Sequence, residues 1–417
     1  MKIELNEVLY AVSSGLDAVE NELLGVRPGH CKRIAALSIM LGKSLGLTPD
    51  ELVDLAAFSI LHDCALTQIN QEELEYQKYN DGQGYSELDF NSRRCKISEY
   101  NTKYMPFKTN NRDVLLLHRE NADGSGPQGR TYDRTPIKSQ IIHLADSIDN
   151  EFDITNPSRD TYGAIIYYVK SNAGIMFSRE VVETFCKTFK MKNLANLSVT
   201  NVSNFLRKAT KHFSDEYSQQ EVINLATLIA KIIDYKSHYT CRHSSGVAVN
   251  CKIMAEHYQF PDEKLTRFYL AGALHDVGKL KISNAILQKP SRLNDDEYEQ
   301  MKKHAYYTYE IMNDIKNMDD IKVWASHHHE KLNGTGYPFG LTEAQLSHEE
   351  RLMACCDIYQ ALTEERAYKE GFSHEEAISI MREMAMKGEI DFGIMNAMDG
   401  VFSYQPRDRE IPTSILR

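Results

Sequence analysis

The sequence lacks the features of membrane, secreted or nucleic-acid-binding chains. No uninterrupted apolar run reaches the roughly 18–20 residues that a helix needs to cross a bilayer, and residues 1–10 lack the basic start and apolar core of a secretory signal. The eight cysteines include no CxxC pair, which is typical of reduced cytosolic thiols. The net charge of −11 disfavours non-specific binding to nucleic acid. We therefore expect a cytoplasmic protein with no membrane or nucleic-acid polymer as partner.

Length and composition indicate a folded protein with more than one domain. The chain has 417 residues, of which 42% are hydrophobic and 26% are charged, and this balance excludes an intrinsically disordered chain. At roughly 150 residues per domain, the length predicts two or three domains.

Short polar motifs recur along the chain at a nearly constant offset. The recurring pairs, with their offsets in residues, are His30 and His243 (213), His62-Asp63 and His275-Asp276 (213), His118 and His328 (210), and Asp146 and Asp357 (211). This regularity predicts two copies of one module of about 190 residues. We expect copy one at residues 1–190, a polar linker at 191–218 and copy two at 219–417, with residues 405–417 loosely held.

The apolar pattern between these motifs is helical. Apolar stripes with helical spacing comprise Ile34, Leu37, Ile39, Leu41 and Leu45 in copy one and Val222, Leu225, Ala226, Ile229, Ile232 and Ile233 in copy two. Thr48 and Pro49 are typical of an N-cap and a first helical residue, and residues 260–263 take the same place in copy two. Few segments alternate with period two, so we predict an all-α fold of two tandem helical bundles.

Copy two is rich in side chains that bind metal ions. The candidate ligands are His243, His275, Asp276, His304, His328, His329 and Asp357. Imidazole nitrogen and carboxylate oxygen together suit Fe, Mn or Zn, and an aspartate can bridge two ions with its two oxygens. The glycine-rich residues 333–338 follow the paired histidines and supply irregular backbone. We therefore predict a metal site in copy two.

Two longer motifs in copy two resemble those of a known family. Residues 275–279 read HDVGK and fit an HDxGK motif, and residues 328–338 read HHEKLNGTGYP and fit HHExxxGxGYP without a gap. In this order, flanked by His243 and Asp357, they resemble the HD-GYP phosphodiesterases, a branch of the HD metal-dependent phosphohydrolases. The resemblance covers roughly residues 219–400.

The resemblance implies a helical HD-type fold with two divalent ions, Fe or Mn. One ion would be held by His243, His275 and Asp357, the other by His304, His328 and His329, and Asp276 would bridge them. Some members of the family bind a third ion through a Glu four residues before the first histidine and an Asp three residues after the last ligand. Those positions are Tyr239 and Gln360 here, so we expect two ions.

The expected chemistry is attack by hydroxide on an anionic phosphodiester. Two ions about 3.5–4 Å apart would lower the pKa of a water and neutralise charge in an in-line displacement. Lys279 lies four residues after His275 and, on the same face of a helix, is suited to contact the phosphate. Asp276 and Lys279 are therefore the catalytic candidates, and a solvated surface lysine is the competing interpretation of Lys279.

Three further residues of copy two have open interpretations. The resemblance implies that Arg366 and Lys369 help to hold the substrate, and a solvated charge run is the alternative. Glu330 would either assist proton transfer or orient a ligand histidine. Residues 337–338, Tyr-Pro, are expected to shape the loop.

The resemblance implies a cyclic dinucleotide as substrate, above all the second messenger cyclic di-GMP, hydrolysed to linear pGpG and in some members onward to GMP. No residue here is identified as reading guanine. Some tandem members prefer the mixed guanine–adenine cyclic dinucleotide, so both substrates stay open.

Copy one keeps only part of the ligand set. His30, His62, Asp63 and Asp146 would suffice for a single ion, but Cys95 takes the position of His304 and Arg119 that of His329. Arg119 would bring a positive charge where the second ion should lie, and Coulomb repulsion disfavours that ion. We expect copy one to hydrolyse weakly or not at all and to act as a regulatory or dimerising unit, so that the protein could form a homodimer.

Two other classes of function compete with the phosphodiesterase. A non-catalytic receptor or scaffold would bind the ligand without turnover, and the complete ligand set of copy two counts against it. An HD phosphohydrolase acting on another nucleotide, such as a dNTP or (p)ppGpp, is disfavoured by the Gly-Tyr-Pro loop.

Overall fold

The computed structural model describes residues 2–80, 82–155, 158–210, 215–236, 242–313, 315–365 and 371–403. These residues form two compact units. The first comprises Met1–Leu228, Lys279–Ser283 and Glu310–Met318, and the second comprises Ile229–Gly278, Asn284–Tyr309 and Asp319–Arg417.

The elements are almost entirely helical, as the sequence predicts. Up to residue 210 the helices are α1 Leu5–Leu24, α2 His30–Ser44, α3 Pro49–Leu61, α4 Leu66–Tyr79, α5 Glu87–Thr102, α6 Ile137–Glu151, α7 Arg159–Ser171, α8 Arg179–Thr188, α9 Met191–Leu194 and α10 Val202–Ala209. They are followed by α11 Gln219–Asp234, α12 His243–His257, α13 Asp262–Leu274, α14 Asn284–Leu287, α15 Asp295–Asn313, α16 Asp319–Ser326, α17 His348–Thr363, α18 His374–Met386 and α19 Phe392–Phe402. Short 3-10 turns lie at Tyr132–Arg134, Ala195–Leu197, Val277–Lys281 and Glu343–Gln345. In the described part of the chain, the strands β1 Lys2–Ile3 and β2 Asp215–Glu216 form one antiparallel pair.

The two units repeat the same helical arrangement around their polar motifs. Helix α2 packs on α3 and α6 in the first unit, and α12 packs on α13 and α17 in the second. His30 and His243 are the first residues of α2 and α12, and His62 and His275 immediately follow α3 and α13. The repeat found in the sequence is therefore a structural repeat.

Local sequence explains where the central helices begin and which face they bury. Thr48 caps α3 through a capping box with Glu51, and Pro49 is its first residue, which confirms the predicted start. Helix α13 begins after Pro261 without a side-chain cap. The predicted stripe of copy two is buried throughout, and Leu45 is the one residue of the copy-one stripe that stays partly exposed.

The segment 191–218, expected to be a linker, is folded over much of its length. It contains α9, α10 and a 3-10 turn, and Leu194, Val202 and Leu206 are buried. Helix α10 packs against α2, and the Nε of Arg207 lies 3.0 Å from a carboxylate oxygen of Glu7. A few apolar side chains on one face suffice to dock a short helix, although polar residues dominate the composition of the segment.

One stretch, Pro49–Tyr79, is long and apolar enough to pass a length-and-composition test for a membrane span, but 89% of its apolar window is buried inside the fold. Such burial is typical of core helices.

The described cysteines are free thiols. Residues 405–417, expected to be loosely held, lie outside the described part of the chain.

Candidate metal centre

The ends of helices bring the predicted ligands of the second unit together. His243 begins α12, His275 and Asp276 follow α13, His304 lies in α15, His328 and His329 follow α16, and Asp357 lies in α17. All are buried except His329, whose side chain is 30% exposed. Buried charged and imidazole groups in such number need partners or a cation.

The carboxylate of Asp276 lies between two groups of histidines. Its Oδ2 is 3.2 Å from Nε2 of His275 and 3.7 Å from Nε2 of His243. Its Oδ1 is 3.4 Å from Nε2 of His304 and 3.9 Å from Nε2 of His328. Each oxygen thus faces its own pair of imidazoles, which is the arrangement that a carboxylate bridging two ions requires.

Asp357 completes the group around the first pair of histidines. Its Oδ1 is 3.0 Å from Nε2 of His243 and 3.7 Å from Nε2 of His275, and its Oδ2 is 3.8 Å from Nδ1 of His329. The ligand atoms of His304, His328 and His329 form a second compact group. The structure therefore brings all seven predicted residues together in the two predicted sets.

The hydrogen bonds of three histidines set their tautomers. The Nδ1 atoms of His275, His304 and His328 lie 2.7, 2.6 and 2.6 Å from the carbonyl oxygen three residues earlier in the chain. Because a carbonyl can only accept, each Nδ1 carries the hydrogen and each Nε2 presents a lone pair to the cluster. The Nε2 of His275 is buried without a hydrogen-bond partner. These donors fit a divalent ion.

The surroundings favour neutral imidazole at His328. Burial lowers its pKa well below the usual value, and the neighbouring His329 and His275 lower it further. Neutral imidazole is the form that coordinates metals.

Glu364 contacts a predicted ligand and was not predicted from the sequence. Its Oε2 lies 3.0 Å from Nδ1 of His243, the nitrogen opposite the one that faces Asp357. Burial alone would lower the pKa of His243, but hydrogen bonds to Asp357 and Glu364 raise it to about 10. A carboxylate behind a ligand histidine orients the ring and raises its basicity. The available signal was spacing, because Glu364 lies seven residues, or two helical turns, after Asp357.

A tight turn, rather than a continued helix, follows the His-Asp pair. The amide of Gly278 donates to the hydroxyl of Thr308 at 3.0 Å, and this hydroxyl donates to the carbonyl of His275 at 2.8 Å. The α-helix ends at Leu274, and Lys279 lies in the 3-10 turn Val277–Lys281. The expectation that Lys279 shares a helix face with His275 is therefore wrong, because Thr308 takes the backbone groups that would continue the helix.

Gly278 permits this approach of α15, and its replacement should be costly. A Cβ at Gly278 would lie 2.0 Å from the carbonyl oxygen of His304 and 2.6 Å from the amide of Thr308. We expect Gly278→Ala to lower the free energy of unfolding by about 3 kcal/mol, because backbone must move, and to weaken metal binding at His304. Thermal unfolding and elemental analysis measure both effects.

Gly400→Ala is the matched control, because Gly400 is also helical and nothing lies within 4 Å of the added Cβ. It should keep the metal content and raise stability by about 0.4–1 kcal/mol. If Gly278→Ala and Gly400→Ala had the same stability and metal content, the role of Gly278 in the close approach of α15 would be contradicted.

Glu330 holds the loop that follows the paired histidines. Its two carboxylate oxygens accept the amides of Phe339 at 2.7 Å and Leu341 at 2.8 Å. In the first unit Glu120 likewise accepts the amides of Gln128 and Arg130. With both oxygens bound to backbone, Glu330 is placed to shape the loop rather than to carry a proton.

Apart from Lys279, only Gln360 among the residues considered for a third ion or for substrate binding belongs to the described part of the chain. The side-chain amide of Gln360 pairs with Asn250 at 3.1 Å and lies 3.5 Å from Glu364. Tyr239, Arg366 and Lys369 lie outside the described residues.

The equivalent centre of the first unit contains arginines. Nη2 of Arg119 is 2.8 Å from Oδ2 of Asp63 and 3.3 Å from Oδ2 of Asp146. Nε of Arg94 is 3.3 Å from Oδ1 of Asp63. Burial would raise the pKa of Asp63, but the charges of Arg119 and Arg94 hold it well below its usual value. The residue that matches Asp276 therefore faces guanidinium groups on both oxygens, and Arg94 is a partner that the sequence analysis missed.

The chain is similar in sequence to known proteins over much of its length. Residues 227–394 match the HD domain family. A 3'3'-cGAMP-specific phosphodiesterase of Vibrio cholerae serotype O1 is 26% identical over 95% of this chain and 91% of its own length. A cyclic di-GMP phosphodiesterase of Pseudomonas aeruginosa is 35% identical over 42% of this chain and 43% of its own.

A solved structure shares the fold across both units. The crystal structure of a cyclic GMP-AMP specific phosphodiesterase of V. cholerae superposes with a TM-score of 0.65 at 24% sequence identity, covering 97% of this chain and 99% of that one. The all-α prediction is confirmed, and so is the resemblance to cyclic-dinucleotide phosphodiesterases of the HD-GYP type. The chain therefore contains an HD domain at residues 227–394 and is similar to cyclic-dinucleotide phosphodiesterases.

Proposed function

We propose that the protein is a metal-dependent phosphodiesterase that hydrolyses a cyclic dinucleotide to its linear form. The observation that carries this proposal is the position of Asp276, with a separate pair of imidazoles on each of its oxygens. Two divalent ions, Fe or Mn, held by the seven ligands would activate water and neutralise the charge of the displacement. The relative that aligns over 95% of this chain and the relative that aligns over 42% of it are both named as cyclic-dinucleotide phosphodiesterases, and this supports a cyclic dinucleotide as the substrate.

In this proposal the residues of the chain have distinct tasks. Asp276 and Asp357 compensate the charge of the cations, while Glu364 fixes the ring of His243. Lys279, three residues after Asp276, would bind the phosphate as a point charge. Arg366 and Lys369 would hold the rest of the dinucleotide.

Two substrates have separate support. Cyclic di-GMP, the first expectation from the sequence, is supported by the 35% identity to the P. aeruginosa enzyme over the second unit. The mixed guanine–adenine cyclic dinucleotide is supported by the V. cholerae relative, which aligns over both units. Dimer formation and a regulatory role of the first unit are further proposals.

The test is product analysis with protein purified without oxygen and loaded with Fe or Mn. We expect a linear dinucleotide from at least one of the two substrates, and loss of turnover after chelation with recovery on metal return. Binding without turnover in the loaded protein would favour a receptor, and released pyrophosphate or triphosphate from another nucleotide would favour a different HD phosphohydrolase. Either outcome would overturn the proposal.

A further inference from the structure

The first unit contains a second group of metal-type ligand atoms, one of which comes from outside the repeated motifs. Oε2 of Glu20 lies 3.2 Å from Nε2 of His30, and Oδ1 of Asp146 lies 3.4 Å from the same nitrogen and 3.8 Å from Nε2 of His62. Glu20 lies in α1, whereas the others follow the repeat. All four side chains are buried, with at most 3% of each residue exposed.

Two of these atoms have no hydrogen-bond partner in the described structure. Nε2 of His62 and Oε2 of Glu20 are both buried and form no hydrogen bond among the described residues, while Oε2 of Glu20 lies within ion-pair distance of Nε2 of His30. Nδ1 of His62 donates to the carbonyl of Ser59 at 2.9 Å, so its Nε2 presents a lone pair. A buried carboxylate oxygen beside an imidazole lone pair is unfavourable unless a cation lies between them.

The distances match a small coordination shell. Ligand atoms about 2.1 Å from a tetrahedral ion lie about 3.4 Å from one another. The separations of 3.2, 3.4 and 3.8 Å among Glu20, His30, Asp146 and His62 scatter around that value. Nδ1 of His30 is held by Asp149 at 2.7 Å, the same type of support that Glu364 gives to His243.

Asp63, the fourth ligand expected from the sequence, is engaged elsewhere. Its Oδ2 lies 2.8 Å from Arg119 and its Oδ1 lies 3.3 Å from Arg94. The two guanidinium groups supply fixed positive charge on both of its oxygens. Asp146 also contacts Arg119, but through Oδ2 alone, so its Oδ1 still faces His30 and His62. Glu20 faces no arginine among the described ion pairs and is the better fourth ligand.

We propose that the first unit binds one divalent transition-metal ion through His30, His62, Asp146 and Glu20. Mixed nitrogen and oxygen ligands select ions of the Fe, Mn and Zn class. His30 and Asp146 line a cavity of about 770 Å³, through which an ion can exchange. The ion joins α1 to α2 and α6 and to the residue that follows α3, so its binding stabilises the first unit.

The experiment compares the metal content and melting temperature of the whole chain with those of Glu20→Gln. We expect the variant to hold one ion fewer per chain and to melt about 5–10 °C lower. Glu22→Gln, an exposed carboxylate on the same helix, should match the wild type in both. Asp63→Asn should keep the ion, which separates this ligand set from the one that contains Asp63.

The experiment compares the metal content and melting temperature of variants that all keep the second unit unchanged. Ions bound by the second unit therefore cancel in the comparison, and no turnover is measured. If Glu20→Gln fails to fold, as judged by circular dichroism, anomalous scattering from wild-type crystals locates the ion directly, with a peak expected about 2.1 Å from Glu20 and His62. Unchanged metal content in folded Glu20→Gln, or no peak between these residues, would overturn the proposal.

Discussion

Asp276→Ala should empty both ion positions of the second unit and reduce turnover of a cyclic dinucleotide by roughly 10⁴-fold. The reason is geometric, because its two oxygens face the His243–His275 pair and the His304–His328 pair separately. Without the Asp276 carboxylate, both ions lose a ligand that they share and the negative charge that it supplies. Elemental analysis and a turnover assay measure the two losses together.

Asp262→Ala is the control for this substitution. Asp262 is exposed at the start of α13, the same helix that leads to Asp276, so this variant should keep its ions and its activity. Circular dichroism should show the same helix content in both variants. Two ions retained in the second unit of Asp276→Ala would contradict the bridging role.

Lys279→Ala should keep both ions and lower turnover by roughly 10²–10³-fold, the effect of removing one charge stabiliser from a transition state. Lys279 belongs to the 3-10 turn that follows the His-Asp pair and is not one of the proposed ligands. Most of the loss should appear in kcat, because the contact strengthens as charge develops.

The neighbouring Lys281→Ala provides the comparison within the same turn. Its ammonium lies 3.7 Å from a carboxylate oxygen of Glu310, and we expect a change in turnover of less than about threefold, because partly exposed ion pairs contribute little. Equal rates for Lys279→Ala and the wild type would contradict a role of Lys279 in turnover.

Most candidate ligands of the second unit could be predicted because they lie in motifs or repeated positions at fixed spacing. His275-Asp276 and the paired histidines follow buried helices, so the repeat places them at equivalent helix ends. The apolar stripes were equally predictable, because helical spacing determines which side chains face a core.

Contacts from outside the motifs could not be predicted in the same way. Glu20 reaches the first centre from α1, and Glu364 supports His243 across 121 positions of sequence. Thr308 determines the course of the chain after His275 through hydrogen bonds that only the packing of α15 creates. Each depends on how helices dock, which local propensity and periodicity do not specify.

The most direct test of the central claim is anomalous diffraction, at the edge of the bound metal, from crystals of protein purified without oxygen. The proposal predicts two peaks in the second unit about 3.5–4 Å apart, one beside Oδ2 of Asp276 near His243 and His275, the other beside Oδ1 near His304 and His328. A single peak, or none after loading with Fe or Mn, would contradict the two-ion centre.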